Sequence, residues 1–191
     1  MRTLSIIISS IINPLLVAPF SFAIIIYFGQ PTDSQHLLFL GSIFFTNILP
    51  LVTIFYFIRM GKVSSMDAPI KEQRIQLLAI AAIYNALGFI LLTYLDAPSI
   101  VRGLMFCYAI NTAIVWRITK FWKISIHMIG LGGPIVALWL AGFEYPLVMV
   151  IATMLVSISR LVLKAHTLSQ VIAGTTLAMG LAYLELTYLF L

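Results

Sequence analysis

A short polar segment near the C-terminus carries residues suited to phosphoryl transfer. Residues 159–170 place Arg160, Lys164 and His166 between two long apolar runs. Cations in such a setting are costly unless they lie at a membrane interface or line a polar site. An Arg guanidinium donates paired hydrogen bonds to phosphate oxygens, and a His side chain serves as nucleophile or general acid near neutral pH. This segment is therefore predicted to bind a phosphate group and attack it.

The composition of the chain indicates the environment in which this chemistry would occur. Of 191 residues, 62% are hydrophobic and 9% are charged, and the mean hydropathy is +1.10. Apolar runs long enough to cross a bilayer recur, which predicts an all-α, polytopic membrane bundle. Short connections leave room for one domain over residues 1–191. Cys107, the single cysteine, excludes an internal disulfide, and no basic arm typical of nucleic-acid binding is evident. The N-terminus does not have the pattern of a cleavable signal peptide.

Seven apolar spans are predicted along the chain. Pro14 and Pro19 should kink the first span, and Pro50 should kink the second. Turn residues or polar loops separate the spans. Their approximate limits are residues 4–28, 37–58, 74–95, 100–116, 125–142, 147–163 and 167–191.

The alternation of these spans brings three distant segments to one membrane face. The third, fifth and seventh spans all begin on the side of the N-terminus. Arg74, the segment before His127, and His166 therefore share that side. Helix N-termini carry free N–H groups and partial positive charge, so three that converge there would favour an anion.

The charges follow the same division. Only Arg102 and the acidic residues Asp33, Asp96 and Glu144 lie on the opposite side. Cytoplasmic loops of membrane proteins are enriched in Lys and Arg, so the side of the N-terminus is predicted to face the cytoplasm. The protein is accordingly predicted to be a multi-pass protein of the plasma (inner) membrane. The basic residues on that side are Arg2, Arg59, Lys62, Lys71, Arg74, Arg117, Lys120, Lys123, Arg160 and Lys164.

The polar residues of this face suggest a division of labour. Basic and hydroxyl side chains would neutralise a phosphoryl group as charge develops on its oxygens. One of His127 and His166 would attack phosphorus and the other would protonate the leaving oxygen. Gln170 follows His166 by one helical turn, so its carbonyl oxygen can accept the proton on the second imidazole nitrogen. The candidate phosphate ligands are Arg74, Lys123, Ser125 and Arg160.

This arrangement resembles the type 2 phosphatidic acid phosphatase superfamily. That family's third motif is Ser-Arg, five residues, His, three residues, Asp. Ser159, Arg160 and His166 match it in type and spacing, whereas Gln170 stands at the Asp position. The resemblance extends over about residues 67–180, and the third motif carries most of it.

The other two motifs of the family are only partly retained. The second is Pro-Ser-Gly-His, and residues 124–127 read Ile-Ser-Ile-His, which keeps Ser125 and His127. The first is Lys, six residues, Arg-Pro. Arg74 is retained there, but Asp67 occupies the Lys position and Ile75 replaces Pro. Lys123 or Lys71 could take the place of the missing Lys.

The resemblance implies a role for each matching residue. His166 would be the nucleophile, His127 the general acid, and Arg74, Arg160 and the segment around Ser125 would bind phosphate, with Ser159 from the third motif beside them. The substrate would be a lipid phosphate, namely phosphatidic acid, a prenyl diphosphate or a phosphorylated glycerophospholipid. No metal or other cofactor is expected, because two histidines without a carboxylate partner at helical spacing make a poor metal site.

Other interpretations remain open at this point. The protein could bind lipid or a partner without catalysis on a degenerate scaffold, or move a lipid head group onto another alcohol. Arg160 and Lys164 alone would be typical of side chains that extend to an interface at a helix end. Glu185, within the last span, is expected to hydrogen-bond to Asn85, Asn111 or Tyr188. Self-association is not decided by the sequence.

Overall fold

The computed structural model describes residues 2–29, 33–66 and 70–191, so Asp67 lies outside the described residues. In these ranges the chain forms nine α-helices and one π-helical turn, with no strand. The elements are α1 (Arg2–Ile11), α2 (Pro14–Phe28), α3 (Gln35–Ile43), the π-helical turn (Phe44–Ile48), α4 (Leu49–Arg59), α5 (Lys71–Tyr94), α6 (Ser99–Thr119), α7 (Ile126–Leu140), α8 (Pro146–Val162) and α9 (Leu168–Leu189).

The helices confirm a membrane-type helical protein but give a smaller number of spans than predicted. Among the described residues, four helices are long and apolar enough to cross a bilayer: Gln35–Arg59, Lys71–Tyr94, Ser99–Thr119 and Leu168–Leu189. The pair α1 and α2, bent by 42°, makes a fifth if it counts as one span. Helices α7 and α8 are apolar but have only 15 and 17 residues. At 1.5 Å per residue they reach about 22–26 Å, less than the ~30 Å of a hydrocarbon core.

The first predicted span is divided into two helices rather than kinked at both prolines. The side chain of Asn13 accepts a hydrogen bond from the Leu15 N–H at 2.9 Å and thereby caps α2, whose first residue is Pro14. Helix α2 continues through Pro19. In the second span the π-helical turn immediately precedes α4 and Pro50, where the sequence predicted a kink.

Helix α1 is amphipathic and packs against α8. Ser5 and Ser9 are its buried residues, whereas Leu4, Ile7 and Ile11 are exposed. An aliphatic outer face is suited to lipid, because lipid tails replace water there. The serine face therefore points to the protein, and this is how α1 contributes to the site described below.

Small residues bring α7 and α9 close together. A side chain on Gly132 would place its Cβ 2.7 Å from the Cβ of Ala178, and one on Gly174 would place it 3.1 Å from the Ser125 carbonyl oxygen. Glycine lets membrane helices approach at this distance. The starts of α7 and α9 are thereby held side by side, with the Ser125 N–H 3.4 Å from the Gln170 carbonyl oxygen.

We expect Gly132→Val to destabilise the folded protein by about 1–3 kcal/mol, because the added atoms force α7 away from α9. The measurement is thermal unfolding of the purified protein in detergent. Gly180→Val is the matched control, since Gly180 is also helical but its Cβ would meet no heavy atom of the described residues within 4 Å. Equal melting temperatures of the two variants would contradict close packing at Gly132.

Candidate functional site

Four polar side chains from different parts of the chain line one cavity. Arg74 lies in the first turn of α5, His127 is the second residue of α7, Arg160 lies in the last turn of α8, and His166 precedes α9. Each is buried, with 5–8% of its surface exposed. Buried polar and charged groups require hydrogen-bond or ionic partners, so their convergence marks a site rather than ordinary packing. The cavity has a volume of about 220 Å³.

The loop before α9 fixes the orientation of His166. Thr167 caps α9 in a capping box with Gln170. The Gln170 Oε1 accepts the Thr167 N–H at 3.2 Å and lies 3.1 Å from His166 Nδ1. Because this oxygen can only accept, His166 Nδ1 carries the proton and Nε2 keeps its lone pair. This tautomer is the one that a nucleophilic imidazole needs.

A serine of α1 joins Arg160 to His127. The Arg160 Nη1 donates to the Ser9 hydroxyl at 2.6 Å, and the same hydroxyl oxygen lies 3.3 Å from His127 Nε2. Arginine has no acceptor, so the Ser9 oxygen accepts from Arg160 and its hydrogen is available to His127. The Ser9 hydroxyl therefore lies between Arg160, a candidate phosphate ligand, and His127, the candidate acid. A phosphate oxygen that replaced this hydroxyl could contact both side chains.

Positive charge accumulates around His166. The pKa of His166 is lowered to about 3, chiefly by burial; the Gln170 hydrogen bond opposes this decrease, and the charges of Arg74, Arg160 and Lys123 add to it. Burial also lowers the pKa of Lys123, with contributions from Arg74 and Arg160. An unfavourable field for cations is a favourable one for an anion. A bound phosphate would therefore be stabilised by the charges that disfavour a protonated His166.

The remaining predicted site residues differ in what they offer. The Ser125 hydroxyl is fully buried and has no hydrogen-bond partner in the part of the chain that is described. The Ser159 hydroxyl donates to the Val156 carbonyl oxygen at 2.8 Å, so its proton is not directed at a phosphate. Lys71 donates to the Lys120 carbonyl oxygen at 3.1 Å. This contact ties α5 to the end of α6.

Sequence analysis did not identify Ser9 as a site residue. The available signal was Ser5 and Ser9, spaced by one helical turn within an otherwise apolar helix. The sequence also predicted a hydrogen bond from Glu185 to Asn85, Asn111 or Tyr188. Of these three, the Asn111 amide donates to Glu185 Oε2 at 3.4 Å. That contact lies deeper in the bundle.

No protein-family model matches the chain, and neither a curated protein nor a solved structure matches it. In the described ranges, no three His, Cys, Asp or Glu side chains are grouped so as to hold a metal ion. Within the described site, the groups available for chemistry are thus imidazole, guanidinium, ammonium, hydroxyl and amide.

The low pKa of His166 predicts a pH dependence of stability. The unfolded chain protonates this residue near its ordinary pKa of 6.5, whereas the folded protein keeps it neutral down to about 3. Between these values the unfolded state binds more protons, so the His166 contribution falls as pH falls, by up to about 1.4 kcal/mol per pH unit. We expect the melting temperature of the wild type to decrease more between pH 7 and pH 5 than that of His166→Asn. Parallel decreases would contradict a neutral, buried His166.

Proposed function

We propose that this protein is an integral membrane phosphatase that hydrolyses a phosphomonoester or diphosphate of a lipid through a phosphohistidine intermediate. The observation that carries the proposal is the convergence of Arg74, His127, Arg160 and His166 on one cavity whose other walls are mainly apolar. Two arginines suit the oxygens of a phosphoryl group, and two imidazoles suit nucleophile and acid. The mainly apolar walls of the rest of the cavity suit the hydrocarbon part of a lipid substrate.

Each step of the proposed reaction has a residue. The lone pair on His166 Nε2 attacks phosphorus while Gln170 holds the Nδ1 proton. The bond from phosphorus to the lipid oxygen breaks, and His127, which would enter this step as an imidazolium stabilised by the bound phosphate dianion, gives that oxygen a proton. Water then attacks the phosphohistidine, with His127 accepting its proton, and inorganic phosphate leaves. Arg74, Arg160 and Lys123 would stabilise the equatorial oxygens in both transition states.

The proposal includes a core like that of the type 2 phosphatidic acid phosphatases. In support, the motif residues Arg74, His127, Arg160 and His166 are all among the residues that line the cavity. Gln170, at the family's Asp position, can orient His166 but cannot balance the positive charge of an imidazolium. We therefore expect a slower or differently tuned enzyme than one with Asp.

We also propose seven membrane crossings, by α2, α3 with α4, α5, α6, α7, α8 and α9. Helix α1 would then lie at the membrane face that carries the site, since Ser9 contacts His127 and Arg160 there. The short helices α2, α7 and α8 would cross with local thinning of the bilayer. By the distribution of Lys and Arg, this face would be the cytoplasmic face of the plasma membrane.

A second candidate function is binding of a phosphorylated lipid without turnover. It is favoured by the neutral Gln170 and by Ser9, whose hydroxyl already accepts from Arg160. This function predicts saturable binding of lipid phosphate, no phosphate release and no stable adduct with vanadate. Phosphotransfer of the head group to another alcohol would instead release the lipid alcohol without stoichiometric phosphate.

The test is phosphate release by the purified protein in detergent from phosphatidic acid, a prenyl diphosphate and a phosphorylated glycerophospholipid. The proposal expects release from at least one of them by the wild type and not by His166→Ala. Equal rates for the two proteins would overturn it, and binding without release by both would favour the second candidate.

A further inference from the structure

The cavity does not end at the phosphate site but continues into the bundle as a chamber with mainly apolar walls. Its volume of about 220 Å³ exceeds the ~150 Å³ of a protein cavity that binds benzene and is below the ~300–1,000 Å³ typical of pockets for drug-sized ligands. That size suits one hydrocarbon chain rather than two. Wall residues from five helices include Ala18, Ile54, Ala81, Leu104, Ile129 and Gly133.

Gly133 marks the middle of this chamber. It lies six residues after His127 on α7, which is about 9 Å deeper along the helix axis. It is buried, yet a Cβ built on it would meet no heavy atom of the described residues within 4 Å. A buried residue with open space beside it faces an internal cavity, and Gly133 is among the residues that line this one.

Two buried polar side chains line the inner half of the chamber, where α6 also contributes Leu104 and Cys107, farther from the phosphate site than Asn111. Asn85 follows Arg74 by eleven residues on α5, so it lies about 16 Å deeper, and Asn111 faces the same cavity from α6. Their exposed fractions are only 5% and 4%. The Asn85 amide nitrogen donates to the Tyr108 carbonyl oxygen at 3.3 Å. The Asn111 amide nitrogen donates to Glu185 Oε2 at 3.4 Å. Each amide oxygen is without a hydrogen-bond partner among the described residues.

Two unpartnered amide carbonyl oxygens in the inner half of a mainly apolar chamber oppose an apolar group placed beside them. Water that satisfies them would be held there, because leaving a buried acceptor unpaired is unfavourable. A hydrocarbon chain that reached this depth would displace that water and offer no donor in exchange. Each methylene that moves from water into the chamber above this depth, in contrast, strengthens binding by about fourfold.

We propose that this chamber receives one hydrocarbon chain of the phosphorylated substrate and that Asn85 and Asn111 set the length of chain that it accepts. The inference rests on the proposed function, since it places the phosphate among Arg74, Arg160 and His166. It names the substrate class as a phosphate ester of one unbranched or prenyl chain lying in the chamber. A second chain of a lipid would remain in the bilayer.

The experiment uses the full chain in nanodiscs and a series of butyl, octyl, dodecyl and hexadecyl phosphates. Two quantities are measured for each: kcat/KM for phosphate release, and the increase in melting temperature on binding. In the wild type we expect both to rise from butyl to dodecyl phosphate and to rise no further with hexadecyl phosphate. Gly133→Leu should lower the ratio of kcat/KM for dodecyl over butyl phosphate at least tenfold, because its side chain fills the chamber at mid-depth.

Two further variants make the test specific. Gly180→Leu is the matched control, an identical change at a helical glycine that does not line the cavity, and should keep the wild-type ratio. Asn85→Leu removes one unpartnered oxygen and should raise kcat/KM for hexadecyl relative to dodecyl phosphate several-fold. Asn85 is chosen because its amide nitrogen donates only to a helix carbonyl, whereas Asn111 donates to Glu185.

The outcomes separate the inference from the proposed function. Phosphate release that is independent of chain length, with the same ratios in Gly133→Leu as in Gly180→Leu, would overturn the chamber and leave the phosphatase in place. Absence of release from every ester would overturn the phosphatase. In that case a chain-length-dependent rise in melting temperature that Gly133→Leu abolishes would still support the chamber, and its absence would overturn both.

Discussion

Replacing His166 by Ala is expected to lower the rate of phosphate release from a lipid phosphate by at least ~1,000-fold. In the proposed reaction the His166 imidazole supplies the attacking lone pair, which the hydrogen bond from Nδ1 to Gln170 leaves free on Nε2. The assay is phosphate release in detergent under substrate excess. His36→Ala is the control, because His36 contacts Tyr27 near the opposite end of α2. Similar losses in both variants would indicate misfolding rather than a lost nucleophile.

The dependence of the rate on the leaving group distinguishes the proposed acid, His127, from the proposed nucleophile, His166. In His127→Ala, release from an alkyl phosphate should fall steeply, because the leaving alkoxide needs a proton. Formation of the phosphohistidine from an aryl phosphate, measured as a first-turnover burst of the aryl alcohol, should fall far less, because that leaving group is a much weaker base. Since His127 also assists the hydrolysis step, label from a phosphorus-labelled aryl ester should then accumulate on His166. A His127→Ala protein whose first turnover is equally impaired on both esters would contradict the role of His127 as the acid.

Arg160→Ala is expected to lower kcat/KM by about 100- to 1,000-fold, the loss typical for one donor to a developing oxyanion. The Arg160 guanidinium is buried, and its Nη1 donates a hydrogen bond to the Ser9 hydroxyl at a distance of 2.6 Å. Arg160→Lys keeps the charge but not the planar fork, so it should lie between the wild type and Arg160→Ala. The measurements are kcat/KM and the affinity for vanadate.

The control for this series is Lys164→Asn. Lys164 is exposed and four residues after Arg160, so the variant removes one positive charge from the same segment. Its backbone φ is +53°, a conformation that Asn tolerates better than most residues. We expect kcat/KM to stay within about twofold, since surface charges far from the ligand contribute little. An equal loss in Arg160→Ala and Lys164→Asn would mean that only overall charge matters.

Much of the helical framework was predictable from the sequence. Apolar runs bounded by turn residues gave helices close to the observed α5, α7, α8 and α9. The first span was less accurate because proline is a weak indicator inside an apolar run: α2 continues through Pro19 and the chain breaks at Asn13, which caps it. The count of seven spans exceeded the four or five long helices because α7 and α8 are apolar but short.

The site residues divide in the same way. The relation of Gln170 to His166 follows from a four-residue helical spacing, and the Thr167 cap from a local pattern. Ser9 joins Arg160 across 151 positions, so the sequence around either residue does not show that pairing. Asn85 and Asn111 read as isolated polar residues in apolar helices, and only their common position on a cavity wall gives them a shared role.

The sequence by itself determined the helical, membrane-type character of this protein, the segments that carry its basic and imidazole side chains, and the local orientation of His166. These are properties of composition and of spacing within one or two helical turns. Only the tertiary structure decided that α1 contributes Ser9 to the site, that the Ser159 hydroxyl bonds within its own helix, and that Asn85 and Asn111 line the same cavity as the candidate site. Those features depend on which helix faces meet, and that is set by packing among side chains far apart in the chain.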